Sequence, residues 1–274
     1  MNRILIAWED TYFQGLKPFV SRRLAQRTLA LETPAPVVLH HTVRGNGRFP
    51  QYVQSTWTQA RTHGLPSDPK PIDHLICVVD GDKLWELDPK QFEKPPEKPS
   101  EVASWYGRTT QAWHSRVQGW VDPSVPVDSV HGVVLRWSRE SVVLAGYDQP
   151  PFREHLGLDP ESAAAQKCLR DECPLPPATV KDDDFTNSFL RPLRCLERLF
   201  KAHGGVMPGK NDPRFDDTLR ALANGHLDRV CARVPDLDIV VARVIAATAP
   251  APAASTAPEP TPAVRQRPKR AKRG

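Results

Sequence analysis

Five acidic side chains stand where an α/β protein would put chemistry. Glu9 and Asp10 follow a short aliphatic run, Arg3 to Trp8; Asp80 and Asp82 flank Gly81 after a second such run, residues 72–79; Glu140 follows a third, residues 130–137. In an open α/β sheet, functional groups gather at the carboxyl ends of the strands. Residues two apart on an extended chain point the same way, so Asp80 and Asp82 can turn both carboxylates to one cation, with Gly81 leaving the backbone free to turn. Hard divalent cations such as Mg²⁺ favour all-oxygen donors and keep waters that leave room for a phosphate. The chemistry that fits is metal-assisted phosphoryl transfer. An Asp-Gly-Asp after a strand is also an ordinary polar turn; the order of the acids along the chain is what sets this one apart.

The elements that must position these acids can be read from periodicity. Arg3–Trp8, Pro36–Val43, Ile72–Val79 and Val130–Trp137 are apolar runs of strand length. Between them, Thr11–Leu29 and Phe49–His63 carry apolar residues at helical spacing. Residues 84–100 hold four prolines (Pro89, Pro95, Pro96 and Pro99) and read as a loop. Val102–Val121 reads as a helix with Trp105, Trp113 and Trp120 along it, a stripe suited to a core more than to base stacking. Ser138 is placed to cap a helix over Ser138–Tyr147 with Glu140 in its first turn. Phe185–His203 and Phe215–Ala247 are the best helices of the remainder. Alternating strand and helix up to residue 150 predicts a parallel or mixed sheet flanked by helices, residues 151–246 a helical extension, and residues 247–274, rich in Ala and Pro, a disordered basic tail.

A resemblance becomes visible on these residues. The order of acids resembles the Toprim domain of topoisomerases, primases, recombination proteins and the overcoming-lysogenization-defect nucleases, which place a Glu after the first strand and an Asp-x-Asp after a later one. Residues 4–16, with Glu9 and Asp10 followed by Tyr12-Phe13, are similar to the opening of the RloB-like branch of bacterial defence-associated Toprim proteins. Cys77 to Asp82 resembles the Asp-x-Asp strand, and Arg136 to Ala145 the segment that starts a helix with an acid. The branch has Gly after its first Glu, where Asp10 stands here. The resemblance implies a metal-dependent nuclease in antiphage defence, working with a partner ATPase or sensor. It also implies that Asp80 and Asp82 hold Mg²⁺ or Mn²⁺, that Asp10 or Glu140 completes the site, and that Glu9 positions or deprotonates the attacking water. Lys83 would stand beside the same phosphate. Two other readings stay open: a non-catalytic Toprim-fold subunit that binds nucleic acid or a partner protein, and a receiver-like domain phosphorylated on Asp80.

Composition bounds the rest. The chain has 274 residues, 25% of them charged and 39% hydrophobic, which excludes collagen-like or wholly disordered classes. The apolar run before Glu9 is too short for a signal peptide, no window suits a membrane span, and five scattered cysteines read as reduced thiols, so a soluble cytoplasmic protein is expected. Of the 37 basic and 32 acidic residues, six and one respectively lie after residue 246, leaving 31 of each before it. The net charge of +5 therefore belongs to the tail, which suits a solubilising end or a non-specific phosphate contact. His40-His41 within a strand offers at most one side chain to a metal, and Cys168 and Cys173 with His155 lack the pattern of a zinc site. Gly45-Asn46-Gly47-Arg48 is a loop whose amides could meet a phosphate, and Asp182 to Asp184 suit a helix N-terminus.

Overall fold

A computed structural model describes residues 2–9, 11–81, 84–96, 98–136, 139–171, 192–209 and 212–248. The expectations that fell on Asp10, Asp82, Lys83, Ser138, Cys173, Asp182 to Asp184 and the tail lie outside these residues. The architecture is α/β. Strands β1 (Arg3–Trp8), β2 (Val37–Thr42), β3 (His74–Asp80) and β4 (Val130–Leu135) form one sheet of order β2-β1-β3-β4, every neighbouring pair parallel. β1 and β3 are inner strands with helices on both faces, which is why they read as nearly unbroken apolar runs and not as alternating ones.

The period of two nevertheless sorts their side chains. Ile4, Ile6, Trp8, Ile76, Val78, Val133 and Leu135 enter one core; Leu5, Ala7, Leu75, Cys77, Val79, Val130 and Val134 enter the other. Helix α1 (Lys17–Ala30) covers the first face with Phe19, Val20 and Leu24. The second face is covered by α2, a helix over 49–63 that passes through a π-helical stretch at Tyr52–Trp57, and, after a single turn α3 (Leu84–Leu87), by α4 (Pro99–Gln118). The chain leaves β1 outward to β2, then returns past β1 to β3 and β4; right-handed crossovers in opposite directions put helices on opposite faces.

Helix α1 alone does not cover its face. The helices after β4 complete it: α5 (Arg139–Ala145), α6 (Pro150–Leu156), α7 (Ala163–Asp171), α8 (Pro192–Ala202), α9 (Pro213–Gly225), α10 (Leu227–Arg233) and α11 (Asp236–Thr248) share the core of β1, β3 and β4 through Phe152, Leu196, Phe215, Leu219, Val240 and Val244. Helix α11 lies directly on β3 and β4.

The structure differs from the sequence expectations at several boundaries. Thr11–Leu16 is a 3₁₀ turn, and the α-helix starts at Lys17 with Pro18 in its first turn, where a missing N–H costs nothing. Pro99 likewise starts α4 three residues before the apolar periodicity does, and a turn of helix at Leu84–Leu87 interrupts the expected loop. The single helix expected over Phe215–Ala247 is three: His226 takes a non-helical conformation after Gly225, and Val234 does so before Pro235, which disfavours the α region at the residue preceding it.

Among the described residues no further strand pairs with the outer edge of β4, and side chains of α4 bond it instead. The Tyr106 hydroxyl donates to the Val134 carbonyl at 2.9 Å, and the Gly132 N–H donates to His114 Nδ1 at 3.1 Å. Gly132 makes this approach possible, because a Cβ there would lie 2.8 Å from both His114 Cα and Trp113 Cδ1. Trp113 passes over it to donate its indole N–H to the Cys77 carbonyl at 3.1 Å. Trp105 and Trp113 are core residues, as their spacing suggested.

Candidate functional site

Strand order reverses between β1 and β3, and ligands in open α/β sheets bind outside the carboxyl ends of the strands at that point. The sequence places an acid at each end. Glu9 continues the β1–β3 ladder, its N–H donating to the Val78 carbonyl at 3.0 Å, and its side chain then turns to accept the backbone N–H of Asp80 at Oε2, 2.9 Å away. Both residues are nearly buried, Glu9 6% and Asp80 3% exposed. The bond fixes the Glu9 carboxylate against the end of β3, so two acids 71 residues apart occupy one crevice.

Gly81 is held tightly as the chain leaves that crevice. A Cβ would lie 2.8 Å from Val134 Cγ1, 3.1 Å from the Leu135 carbonyl and 3.3 Å from the Trp105 ring, so the glycine is required by close packing and not by a positive φ.

Glu140 lies on α5, whose first turn is buried. Arg139 Nε stands 3.6 Å from Glu140 Oε1, while the Arg139 guanidinium lies over the Phe215 ring at 4.9 Å and 4.0 Å from Asp216. Helix α5 packs against the Thr11–Leu16 turn that follows Glu9. Among the described residues, no three or more His, Cys, Asp or Glu side chains are grouped to hold a metal ion. Glu9, Asp80 and Glu140 therefore do not by themselves make a three-carboxylate cage. The donor chemistry of Glu9 and Asp80 fits a hard cation, and Asp10 and Asp82, their chain neighbours, are the acids that would extend it.

Sequence reasoning missed the third strand end beside the site. Arg136, which follows β4, is buried and bonded to Asp236 of α11: its N–H donates to Oδ2 at 2.6 Å and its Nε to Oδ1 at 2.8 Å, with Tyr106 4.8 Å beneath the guanidinium. Burial pushes the Asp236 carboxyl above its ordinary range, and the charge and hydrogen bonds of Arg136 pull it back. The pairing spans 100 residues, and no local pattern announces it.

The remaining candidates fall into structural roles. Trp8 Nε1 donates to His40 Nδ1 at 3.0 Å, and burial, with the Lys17 charge, lowers the His40 pKa to about 4. His41 stacks on Tyr52 at 5.1 Å. Cys77, Cys168, Cys195 and Cys231 are buried; burial pushes the Cys77 thiol up and that of Cys231 to about 12, which removes their nucleophilic character. No helix among the described residues is long and apolar enough to cross a membrane. Comparisons of the chain with protein-family models, with curated proteins and with solved structures return no match.

Proposed function

We propose that the protein cleaves phosphodiester bonds in nucleic acid through a Toprim-type acidic site that uses Mg²⁺ or Mn²⁺. The observation that carries this reading is the convergence of Glu9 and Asp80, from the two central strands, at the carboxyl-end crevice where strand order reverses. In this reading Asp80 and Asp82 hold the cation, with Asp10 or Glu140 completing its oxygen donors. When bound, the cation stabilises charge on the phosphate and makes a coordinated water more acidic. Glu9, oriented by the Asp80 N–H, positions the attacking water and takes its proton. The sheet supplies rigidity: both acids grow from buried strands, so their separation is set by the ladder and not by a loop. Work in antiphage defence beside a partner ATPase is proposed on the Toprim resemblance alone.

A second reading, a non-catalytic subunit of the same fold that binds nucleic acid or a partner protein, is favoured by one observation. The described carboxylates do not by themselves form a metal-holding group. A cleavage assay separates the two. Plasmid, linear duplex, single-stranded DNA and tRNA are incubated with Mg²⁺ or Mn²⁺ and either the wild type or Asp80→Asn/Asp82→Asn. The nuclease reading expects cutting that falls roughly 100-fold or more in the variant. No cutting by the wild type, also with a neighbouring ATPase added, moves the assignment to the binding subunit.

A further inference from the structure

The acidic crevice has a basic wall on its β2 side. The backbone pairing of β2 with β1 runs on past both strands: the Val43 N–H donates to the Trp8 carbonyl at 2.7 Å and the Gly45 N–H to the Glu9 carbonyl at 2.6 Å. Arg44 is thereby held between two residues bonded to the end of β1, one of them through Glu9 itself. It takes a left-handed conformation, φ 62°, and its side chain is exposed. The Arg48 N–H donates to the Gly45 carbonyl at 3.1 Å, which keeps the exposed Arg48 in the same turn.

Lys17 approaches from α1. It is half-buried, its Nζ donates to Gln14 Oε1 at 3.1 Å, and its charge bears on both His40 and His41, while that of Arg44 bears on His41. The fold thus brings cations from α1 and from the β2–α2 loop around the end of β2. Among the described residues, none of Lys17, Arg44 and Arg48 makes an ion pair with a carboxylate. By contrast Arg3, Arg23, Arg108, Arg116, Arg214 and Arg233 each have one. Like charges gathered beside an acidic crevice repel one another unless an external anion lies between them, and a chain of phosphates is an anion that can pass from such a wall into the crevice.

We infer that Lys17, Arg44 and Arg48 form a rim that binds the sugar-phosphate backbone of a polynucleotide and lays it across Glu9 and Asp80. The inference rests on the phosphodiesterase reading and adds to it where the strand enters. The rim recognises backbone charge, so its ligand is a polynucleotide of either sugar.

The test is binding in EDTA, where no cutting occurs, followed by anisotropy of labelled single-stranded DNA, duplex DNA and single-stranded RNA on the full chain. Arg44→Asn/Arg48→Gln removes two charges, and Asn tolerates the left-handed backbone at 44. Lys17→Gln removes the third. A control, Arg153→Gln/Lys201→Gln, makes the same charge change at exposed positions of α6 and α8. The rim pair is expected to weaken binding about tenfold near physiological salt and to flatten the salt dependence by about 1.4 for single strands or 1.8 for duplex, with the control within about twofold. The arms that show the loss name the nucleic acid bound. Equal losses in rim and control variants, or none in the rim variants with their thermal midpoints unchanged, would overturn the inference. Failure of the parent reading looks different: rim-dependent binding by a wild type that never cuts leaves the rim standing and removes the nuclease.

Discussion

The carboxyl end of β4 and the carboxyl ends of β1 and β3 lie side by side on one sheet, and both bury ionisable groups, but with opposite composition. At β4 a cation meets an anion: Arg136 donates two hydrogen bonds to Asp236, which is 1% exposed. At β1 and β3 an acid meets the backbone beside another acid, Glu9 accepting the Asp80 N–H. The first arrangement is complete within the chain and fastens α11 to the sheet. The second sets two carboxylic side chains at neighbouring strand ends, where the proposed function places a cation. Burial alone therefore does not distinguish a structural joint from the proposed site; the chemistry of the groups brought together is what separates them.

This contrast can be broken from either side. Asp236→Ala leaves the Arg136 guanidinium buried against a missing partner, and a loss of about 3–5 kcal/mol is expected in denaturant unfolding. A loss below about 1 kcal/mol would mean that the joint is already solvated. Acid probes the crevice side. The folded pKa of His40, about 4, lies below its ordinary 6.5, so the unfolded chain takes up the proton first. The stability due to neutral His40 is fully present above pH 6.5 and is lost as pH falls towards 4, by about 1–3 kcal/mol. His40→Asn should flatten that part of the stability profile, and an unchanged slope would show that a group other than His40 carries it. The smallest effect on stability is expected from Asp80→Asn, which keeps the shape of the side chain and the backbone N–H bonded to Glu9: unfolding stability should stay within about 1 kcal/mol of the wild type while the proposed cleavage falls away.

Much of the frame was legible in the residues. The aliphatic runs of β1 and β3 read as buried strands because strands covered on both faces need no polar alternation, and the run of β4 read as a strand as well. Glu9 and Asp80 were legible because each directly follows such a run. The rest depends on distance along the chain. Arg136 carries no local sign of Asp236, and Lys17 reads as the polar start of a helix until α1 is set beside β2. Breaks at His226 and Val234 were hidden by continuous apolar periodicity across Phe215–Ala247, since three short helices on one core keep the same pattern as one long helix. Gly81 looked like a hinge between aspartates, whereas its small size is needed by Val134 and Trp105.

The cover of the first sheet face by α9, α10 and α11 has a consequence for how the chain is made. The strands are complete by Leu135, yet the helix that closes over β3 and β4 begins at Asp236. On the order of a hundred residues must be added in between, roughly 5–20 s of synthesis, during which β3 and β4 wait for the helix that lies directly on them.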